Sequence, residues 1–457
     1  MMIKDRLRQT FRLSPTKVAG LIIFALTLSI FLFSRIRQVT DSSYSMLVSQ
    51  SLIDHGSFQL DAYALPRHEP QWRGYYFSHG PIYQLEIARG HIYYHLPPGS
   101  SVLSAPFVAA LNVIGVSAAR PDGTYDPQGE VKIEAGLAAL LMAALAVLFL
   151  YTARLLLPLS WSVVVALGGA LGTQVYSTAS RALWSETWGI LLLGLVIFLL
   201  LRSEIRKREF NPIVLATLLS WMYFVRATFS VHIIAISIYL LIFHRRLFLR
   251  YAITGAAWLA AFVLYSWLNF GQLLPNYYRA SRLQFGFFWE ALAGNLVSPA
   301  RGVLVYVPAL LFVAFMLARY WRLAAYQRLA WLSLGAITGH LLIVSSFNHW
   351  WGGHSFGPRF TTGLVPWFVL LGILGTSAML RWREEKSATS RLVGWRAQLA
   401  CGILLLLLSA FINTRGATSH ATWLWNMRPL EIDQHPERLW DWRQPQFLAG
   451  ILPPPEP

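Results

Sequence analysis

Two acidic side chains stand beside apolar stretches, where a carboxylate can do proton-transfer chemistry. Asp41 follows the first apolar run, and Glu186 lies between Trp184 and Trp188 at the start of another. A carboxylate held at such a boundary can take a proton from a hydroxyl group. Both also have a structural explanation, because Asp41 has the spacing of a helix N-cap and Glu186 that of an acid in the first turn of a helix. The two kinds of role can coexist.

Three arginines follow or precede apolar runs, two of them in segments that contain glycine and proline. Arg226 follows 221–225, Arg301 lies in 298–302, and Arg359 ends the segment 351–359. A guanidinium group can hold a phosphate with two parallel hydrogen bonds, although a single arginine at a helix end often only extends toward lipid headgroups. Together the three predict an anion site, with Arg359 as its strongest candidate.

Composition places these residues in a membrane protein. Of 457 residues, 55% are hydrophobic and 13% are charged. The net charge of +17 is spread between apolar runs, whereas nucleic-acid binding needs basic residues gathered on one surface. We therefore predict no nucleic-acid partner. The single cysteine, Cys401, lies within an apolar run and provides neither a disulfide nor a cysteine-ligated metal.

The apolar runs predict an all-α polytopic membrane protein of about eleven transmembrane helices. About 20 helical residues cross a bilayer. The runs are Val18 to Phe33, Ile133 to Tyr151, Leu159 to Tyr176, Trp188 to Leu201, Pro212 to Val225, Phe229 to Phe243, Ala252 to Asn269, Val303 to Leu317, Leu329 to Val344, Thr362 to Leu380 and Leu399 to Ile412.

A twelfth run, Val102 to Val116, is short and contains Pro106. If it lies in the outer interface, the four basic connectors fall on the side of the basic N-terminus, as the positive-inside rule requires. These connectors are 202–208, 245–250, 319–328 and 381–396. We therefore expect one membrane domain over 1–457. Its parts are a cytoplasmic N-terminus (1–17), a first outer loop with juxtamembrane helices (35–132), the remaining transmembrane helices (133–412) and an outer tail (413–457).

This orientation puts the polar residues of interest on the outer side. Glu134, His232 and His340 fall in the outer half of predicted spans, either lining an outward cavity or satisfying helix contacts. Trp184 falls where aromatic rings often anchor at the headgroup level. The inner connectors lack both an aspartate cluster for Mg²⁺ and a Walker loop, so nucleotide chemistry there is not expected.

Several motifs resemble the glycosyltransferase C superfamily, which includes the protein O-mannosyltransferases and the lipid A aminoarabinose transferases. Members are similar in having one helix followed by a long outer loop that opens with an aspartate and an aromatic residue three positions later, here Asp41 and Tyr44. The stretch Gly56 to Asp61 and the Pro-Pro element His95 to Gly99 also resemble that loop. The segments 269–278 and 351–359, the latter with His354, look like those of uncharacterised bacterial members.

The resemblance implies an outward-facing active site in which Asp41 is the general base and Glu186 a second acid. It implies substrate or phosphate binding by Arg359, Arg301, Arg226, Tyr44, His95 and His354. Many members have a second acid directly after the aspartate, where this chain has Ser42. We predict no metal ligands and no cofactor, with use of a divalent metal left as an open alternative.

The expected function is inverting transfer of a sugar from a polyprenyl-phosphate carrier to a hydroxyl group of a lipid, glycan or protein. We expect it in a bacterial inner membrane, among membrane lipids, with the N-terminus cytoplasmic and the C-terminus periplasmic. First-loop tyrosines could pack on the sugar or the isoprenoid or anchor the loop at the interface: Tyr63, Tyr75, Tyr76, Tyr83, Tyr93 and Tyr94. The alternatives are a lipid-linked glycan flippase or transporter, and a non-catalytic membrane assembly subunit.

Overall fold

The computed structural model describes residues 14–65, 82–280, 283–386 and 392–452. Tyr75 and Tyr76 lie outside these ranges, as do residues 1–13 of the predicted cytoplasmic N-terminus and the last five residues of the tail. The described chain is almost entirely helical. Its two short strands, β1 (Leu85–Ala88) and β2 (His91–Tyr94), form an antiparallel hairpin that pairs Leu85 with Tyr94.

The α-helices in chain order are α1 (Pro15–Phe33), α2 (Ser45–His55), α3 (Gly99–Val113), α4 (Pro127–Ala153), α5 (Leu159–Leu171), α6 (Ser185–Arg206), α7 (Pro212–Val225), α8 (Ser230–Phe243), α9 (Arg245–Phe270), α10 (Phe288–Val297), α11 (Val303–Tyr306), α12 (Ala309–Tyr320), α13 (Gln327–Val344), α14 (Val365–Lys386), α15 (Leu392–Thr418) and α16 (His420–Leu424). A 3₁₀ segment, Arg359–Leu364, leads into α14.

Every predicted apolar run forms helix, which confirms the all-α prediction. Six helices in the described residues are long and apolar enough to cross a membrane, and these indicate a multi-pass membrane protein. The other apolar runs are shorter or less apolar as helices. The run 303–317 is divided into α11 and α12 at Pro308, because proline has no N–H to continue the helical hydrogen bonds.

One end of the helix bundle gathers the segments that carry Asp41, Glu186, Arg226 and Arg359. We call it the Asp41 end. There α1 ends beside the segment after α5, since Ser34 Oγ donates to Tyr176 Oη over 3.1 Å. At the opposite end, Glu204 near the end of α6 accepts a hydrogen bond from Arg328 at the start of α13 over 2.7 Å. Glu204 also accepts from Tyr239 of α8. Successive long helices therefore run in alternating directions.

The first outer segment folds over the Asp41 end. Ser49 Oγ of α2 donates to the carbonyl of Ser101 in α3 over 2.7 Å, and Trp188 Nε1 of α6 donates to Ser104 Oγ over 3.0 Å. Gly99 lies so close to the end of α7 that a Cβ there would meet the Phe224 carbonyl carbon at 2.5 Å. The short helix α3 thus packs across the ends of α6 and α7.

Burial separates central helices from peripheral ones. The most apolar window of the Arg359–Glu385 helix is 94% buried and that of α4 is 72% buried, whereas those of α1 and α9 are 22% and 17% buried. The outward surfaces of α1 and α9 are leucine, isoleucine and other apolar side chains, as a lipid-facing helix requires. Arg359 therefore stands at the start of the most enclosed helix, whereas Asp41 follows a peripheral one.

We expect Gly189→Ala to lower the free energy of unfolding by about 1 to 3 kcal/mol, because overpacking a tight helix contact costs that much. A Cβ on Gly189 in α6 would lie 2.1 Å from Cε2 of Phe229. The matched control is Gly136→Ala in α4, where a Cβ would meet no atom within 4 Å. Thermal unfolding in detergent measures both. An equal loss of stability in the two variants would contradict this packing.

Candidate functional site

Four charged side chains predicted from separate parts of the sequence meet at the Asp41 end. Arg359 forms an ion pair with Asp41 Oδ2, and its Nε lies 3.5 Å from Glu186 Oε1. Arg226 Nη1 lies 2.8 Å from the same Glu186 oxygen. Two acids and two arginines therefore alternate in a chain of contacts, which we call the charge cluster. It has no formal net charge.

The charge cluster is shielded from solvent except at Asp41. The side chain of Asp41 is 26% exposed, whereas Arg226 and Arg359 are each 6% exposed and Glu186 is 1% exposed. The Arg359 guanidinium carbon also lies 3.6 Å from the ring centroid of Trp184. This cation–π contact orients the arginine in a place where water contributes little. Asp41 is therefore the member that an incoming hydroxyl group can reach.

Asp41 is held as an ionised carboxylate. Burial alone would raise its pKa, but the opposing charge of Arg359 and a hydrogen bond from Tyr83 hold the pKa below its ordinary value. Tyr83 donates its hydroxyl to Asp41 Oδ1, and Tyr94 Oη donates to the Asp41 carbonyl over 2.6 Å. Both carboxylate oxygens are thus engaged, one by Arg359 and the other by Tyr83.

Two glutamates of α4 fix the loops that carry the acids. Glu134 Oε2 accepts a hydrogen bond from Ser42 Oγ over 2.7 Å and another from the Leu183 N–H over 3.0 Å. One oxygen thereby ties the residue after Asp41 to the loop before Glu186. Glu130 accepts from the N–H groups of Tyr44 and Met46 at the start of α2. Of the two roles that the sequence allowed for Glu134, lining a cavity or making a structural contact, the structure supports the structural contact.

Asp41 is not the N-cap that its spacing favours. The cap position of α2 is Tyr44, with φ of 72°, and the Tyr44 side chain makes no capping hydrogen bond. The carboxylate of Glu130 satisfies the first helical N–H groups instead, because it projects from α4 directly toward them. Tyr44 stacks on Tyr125 at 4.6 Å, which makes it part of the packing beneath the loop.

Glu186 has the expected place in the first turn of α6. Its Oε1 contacts both arginines, and Ser185 Oγ donates to its Oε2 over 3.1 Å. A carboxylate this enclosed positions Arg226 and Arg359 and is poorly placed to exchange a proton with a substrate. We assign it to positioning, which differs from the catalytic role expected from the sequence.

Arg301 does not join the charge cluster. Its guanidinium donates to the carbonyls of Trp351 and Gly353 over 2.8 and 3.0 Å. It also donates to Gln446 Oε1 over 2.7 Å and Asn426 Oδ1 over 3.0 Å. The side chain is 1% exposed. Arg301 therefore locks the loop before Arg359 to the tail, which is a structural role in place of the expected phosphate contact.

The two histidines expected at the site lie in other pairs. His95 is 4% exposed, and its Nδ1 lies 3.2 Å from Glu86 Oε2, which also accepts a hydrogen bond from Asn276. His354 Nε2 faces Glu431 Oε1 in the tail. Both histidines are thus paired with glutamates outside the charge cluster.

Two buried histidines support the segment around Arg359 from below. His340 Nε2 lies 2.8 Å from the Phe360 carbonyl, and its ring stacks on His232 at 5.2 Å. His232 Nδ1 accepts a hydrogen bond from Trp367 Nε1 over 3.1 Å. Both side chains are at most 1% exposed, so they serve helix contacts and do not line an outward cavity.

Sequence reasoning missed or misjudged residues that complete the site. Trp184 was expected at the headgroup level, but it is 1% exposed, and its Nε1 donates to the Gln38 carbonyl over 2.7 Å. Glu130 gave no signal, because an acid near a helix start has an ordinary explanation. Tyr83 stood among six equivalent tyrosines. Only the folded arrangement singles it out as the partner of Asp41.

Comparison with the models of known protein families gives no match, and comparison with curated proteins gives none either.

A double-mutant cycle tests the pairing within the charge cluster. We expect Glu186→Gln and Arg226→Met each to lower the free energy of unfolding by about 3 kcal/mol, since each leaves a buried charge poorly paired. The double variant should lose much less than the sum of the two. Chemical unfolding in detergent measures all three proteins.

The control cycle uses Glu204 and Arg328, which form an ion pair in which Arg328 is 51% exposed. Its coupling energy should stay below about 1 kcal/mol. Additive losses at Glu186 and Arg226 would show that the two charges do not depend on each other.

Proposed function

We propose that this protein transfers a sugar from a polyprenyl-phosphate carrier to an acceptor hydroxyl group, with inversion at the anomeric carbon. The observation that carries the proposal is the ion pair of Asp41 with Arg359 at one end of an apolar helix bundle. A partly exposed, ionised carboxylate is suited to accept a proton. A buried arginine beside it is suited to a phosphate leaving group.

The proposed reaction is a single displacement. The acceptor hydroxyl replaces Tyr83 at Asp41 Oδ1 and gives its proton to the carboxylate as its oxygen attacks the anomeric carbon. The bond between that carbon and the phosphate oxygen breaks, and the electron pair leaves with the lipid phosphate. Attack opposite the leaving group inverts the configuration. Asp41 is the member of the charge cluster for this role because it alone is more than a few per cent exposed.

Arg359 links donor binding to release of the base in this proposal. Its guanidinium bonds to Asp41, so a donor phosphate that binds Arg359 competes with the Asp41 carboxylate. The competition frees Asp41 Oδ2 only when the donor is present. Arg226, already 2.8 Å from Glu186, supplies a second positive charge beside the departing phosphate.

Lipid linkage of the donor fits the surroundings of the site. An apolar cavity lies among α5, α12, α14 and α15, with Gly168, Gly172 and Leu406 among its lining residues. Thr173 also lines it, and the next residue, Gln174, donates from Nε2 to Thr361 Oγ1 over 3.3 Å. Thr361 is two residues from Arg359. The cavity can accept part of an isoprenoid chain whose phosphate reaches the arginine.

The distribution of basic residues supports an orientation with the charge cluster outside the cytoplasm. At the end of the bundle opposite Asp41, arginines and lysines lie in or beside the described ends of α6, α8, α12 and α14, among them Arg206, Arg245, Arg319 and Arg383. Positive connectors favour the cytoplasmic side. We propose a bacterial inner membrane, eleven spans, a cytoplasmic N-terminus and a periplasmic C-terminus. No nucleotide pool exists on that outer side, which is why the activated sugar arrives on a lipid.

Asp41→Asn should reduce sugar transfer from a polyprenyl-phosphate donor by at least about 100-fold, because the amide cannot accept the proton. The matched control is Asp61→Asn, since Asp61 is a 39% exposed acid of the same outer segment that pairs with His91. Transfer of a radiolabelled sugar in proteoliposomes measures both variants. Size-exclusion chromatography checks that each remains folded.

Full turnover by Asp41→Asn would remove the base assignment. If substrate crosses the bilayer at the wild-type rate in that variant, the flippase alternative is the better account. If the wild type neither binds donor nor moves it, the assembly-subunit alternative is favoured.

The depressed pKa of Asp41 fixes the expected pH dependence. A base acts while ionised, and Asp41 stays ionised until the pH falls below its ordinary pKa of 3.8. We therefore expect kcat/KM to show no acid limb between about pH 5 and pH 7. Tyr83→Phe removes a hydrogen bond to the carboxylate and should move the acid limb to higher pH. An acid limb within that range in the wild type would show that another group is the base.

A further inference from the structure

A second cluster of polar side chains lies where the tail meets the loop before Arg359. His354 comes from that loop, and Glu431 and Asp433 come from the tail. One ligand atom from each of the three lies within 4.8 Å of the other two. Among the described residues this is the one group of three histidine or acidic side chains within such reach. We call it the tail cluster, and the charge cluster uses none of its members.

The two acids of the tail cluster are oriented by hydrogen bonds from neighbouring groups that are not part of the cluster. Asp433 Oδ1 accepts a hydrogen bond from Trp351 Nε1 over 2.7 Å and lies 2.6 Å from His349 Nε2. Both contacts use the same oxygen and leave Oδ2 facing the loop, where it would be 3.9 Å from a Cβ on Gly353. Glu431 Oε2 accepts from the Gln434 N–H over 3.0 Å, while its Oε1 faces His354. Carboxylates that bind metals are usually oriented by neighbouring hydrogen bonds of this kind.

The two segments that supply the ligands are fixed relative to each other. Arg301 binds the carbonyls of Trp351 and Gly353 on the loop and Asn426 on the tail. Gln446 of the tail donates to the Ser355 carbonyl over 2.9 Å and accepts from the Gly357 N–H over 3.0 Å. A buried set of bonds thus holds the ligand-bearing segments in place without help from a metal.

Gly352 and Gly353 turn the loop so that His354 points to the tail. Their φ angles are 71° and 61°, values that residues with side chains rarely adopt. The turn also lies against Arg359, since a Cβ on Gly352 would be 3.7 Å from Arg359 Cδ. An interaction that holds His354 against the tail therefore also restrains the loop that carries Arg359.

We propose that His354, Glu431 and Asp433 bind a divalent transition metal, with zinc as the fitting ion. The ligand atoms would be His354 Nε2, Glu431 Oε1 and Asp433 Oδ2. One imidazole and two carboxylates suit zinc, and bonds of about 2.0 Å to each require ligand atoms roughly 3.3 Å apart. Small side-chain rotations bring a group that spans 4.8 Å to that spacing. Three protein ligands leave a fourth position for water or a substrate oxygen.

This site goes beyond the proposed sugar transfer and does not depend on it. The metal would join the tail to the loop that orients Arg359, and its charge would lie near the charge cluster. The binding itself requires neither a donor nor Asp41. Zinc binding can therefore be measured on the purified protein alone.

The experiment is equilibrium dialysis of the full chain in detergent against zinc, after treatment with a chelator, with zinc counted by mass spectrometry. We expect about one zinc per wild-type chain and an affinity at least about 100-fold lower in Asp433→Asn and in His354→Ala. Asp433→Asn keeps the shape of the side chain, so it separates lost ligation from lost folding. Excess Mg²⁺ should not displace the zinc, because it bonds imidazole poorly.

Two control variants make the result specific. His91→Ala removes the histidine of an exposed histidine–aspartate pair that has no third metal ligand among the residues that the structure describes, and it should bind zinc like the wild type. Asp41→Asn should also keep zinc, whether or not it transfers sugar. No stoichiometric zinc in the wild type, wild-type affinity in both ligand variants, or displacement by Mg²⁺ would each overturn the proposal.

Discussion

The ion pair between Asp41 and Arg359 joins residues 318 positions apart and is the contact on which the architecture of the site depends. Removing charged groups from water costs free energy, and a buried ion pair offsets that cost only when its two partners are held in close contact. Arg359 meets this condition at the start of the most enclosed helix, and Glu134 of α4 helps to hold the loop that carries Asp41 against it. Glu186 and Arg226 extend the pair into a neutral group of four, in which each charge lies beside an opposite one.

Residues on two sides hold this group of four charged side chains in place. On the side of the first loop, Glu134 bonds to both acid-bearing segments and Glu130 holds the start of α2. On the side of Arg359, the ring of Trp184 lies beneath the guanidinium and His340 holds the neighbouring carbonyl of Phe360. Supports of this kind hold the carboxylate and the arginine in contact in the structure while Asp41 stays partly exposed to solvent.

The sequence was most informative about the helices and about which residues share one end of the bundle. Apolar runs predict helices directly. The positions where these runs begin and end also place four charged residues near helix ends: Asp41, Glu186, Arg226 and Arg359. The sequence ranked Arg359 first but also assigned Arg301 to the same anion site, because both stand in loops with glycine and proline. What separates them is the opposing surface, which is two carboxylates for Arg359 but backbone carbonyls and amide side chains for Arg301. That surface comes from distant segments and leaves no local signal.

The sequence also gave no signal for the acids of the tail cluster or for Tyr83, because their partners come from other segments of the chain. Glu431 and Asp433 look like ordinary solvated acids until the Gly352–Gly353 turn brings His354 to them. Tyr83 becomes distinct from its neighbouring tyrosines only when the β1–β2 hairpin packs on the loop of Asp41. Long-range packing supplies this information, and short-range spacing does not.

The central claim is that a lipid phosphate binds Arg359 in exchange for Asp41. A cryo-electron microscopy structure in lipid nanodiscs with a polyprenyl phosphate tests it most directly. The account predicts phosphate density within hydrogen-bonding distance of the Arg359 guanidinium, with the Asp41 carboxylate separated from that arginine and open to the outer side. Phosphate density remote from Arg359, with the ion pair to Asp41 unchanged, would contradict it.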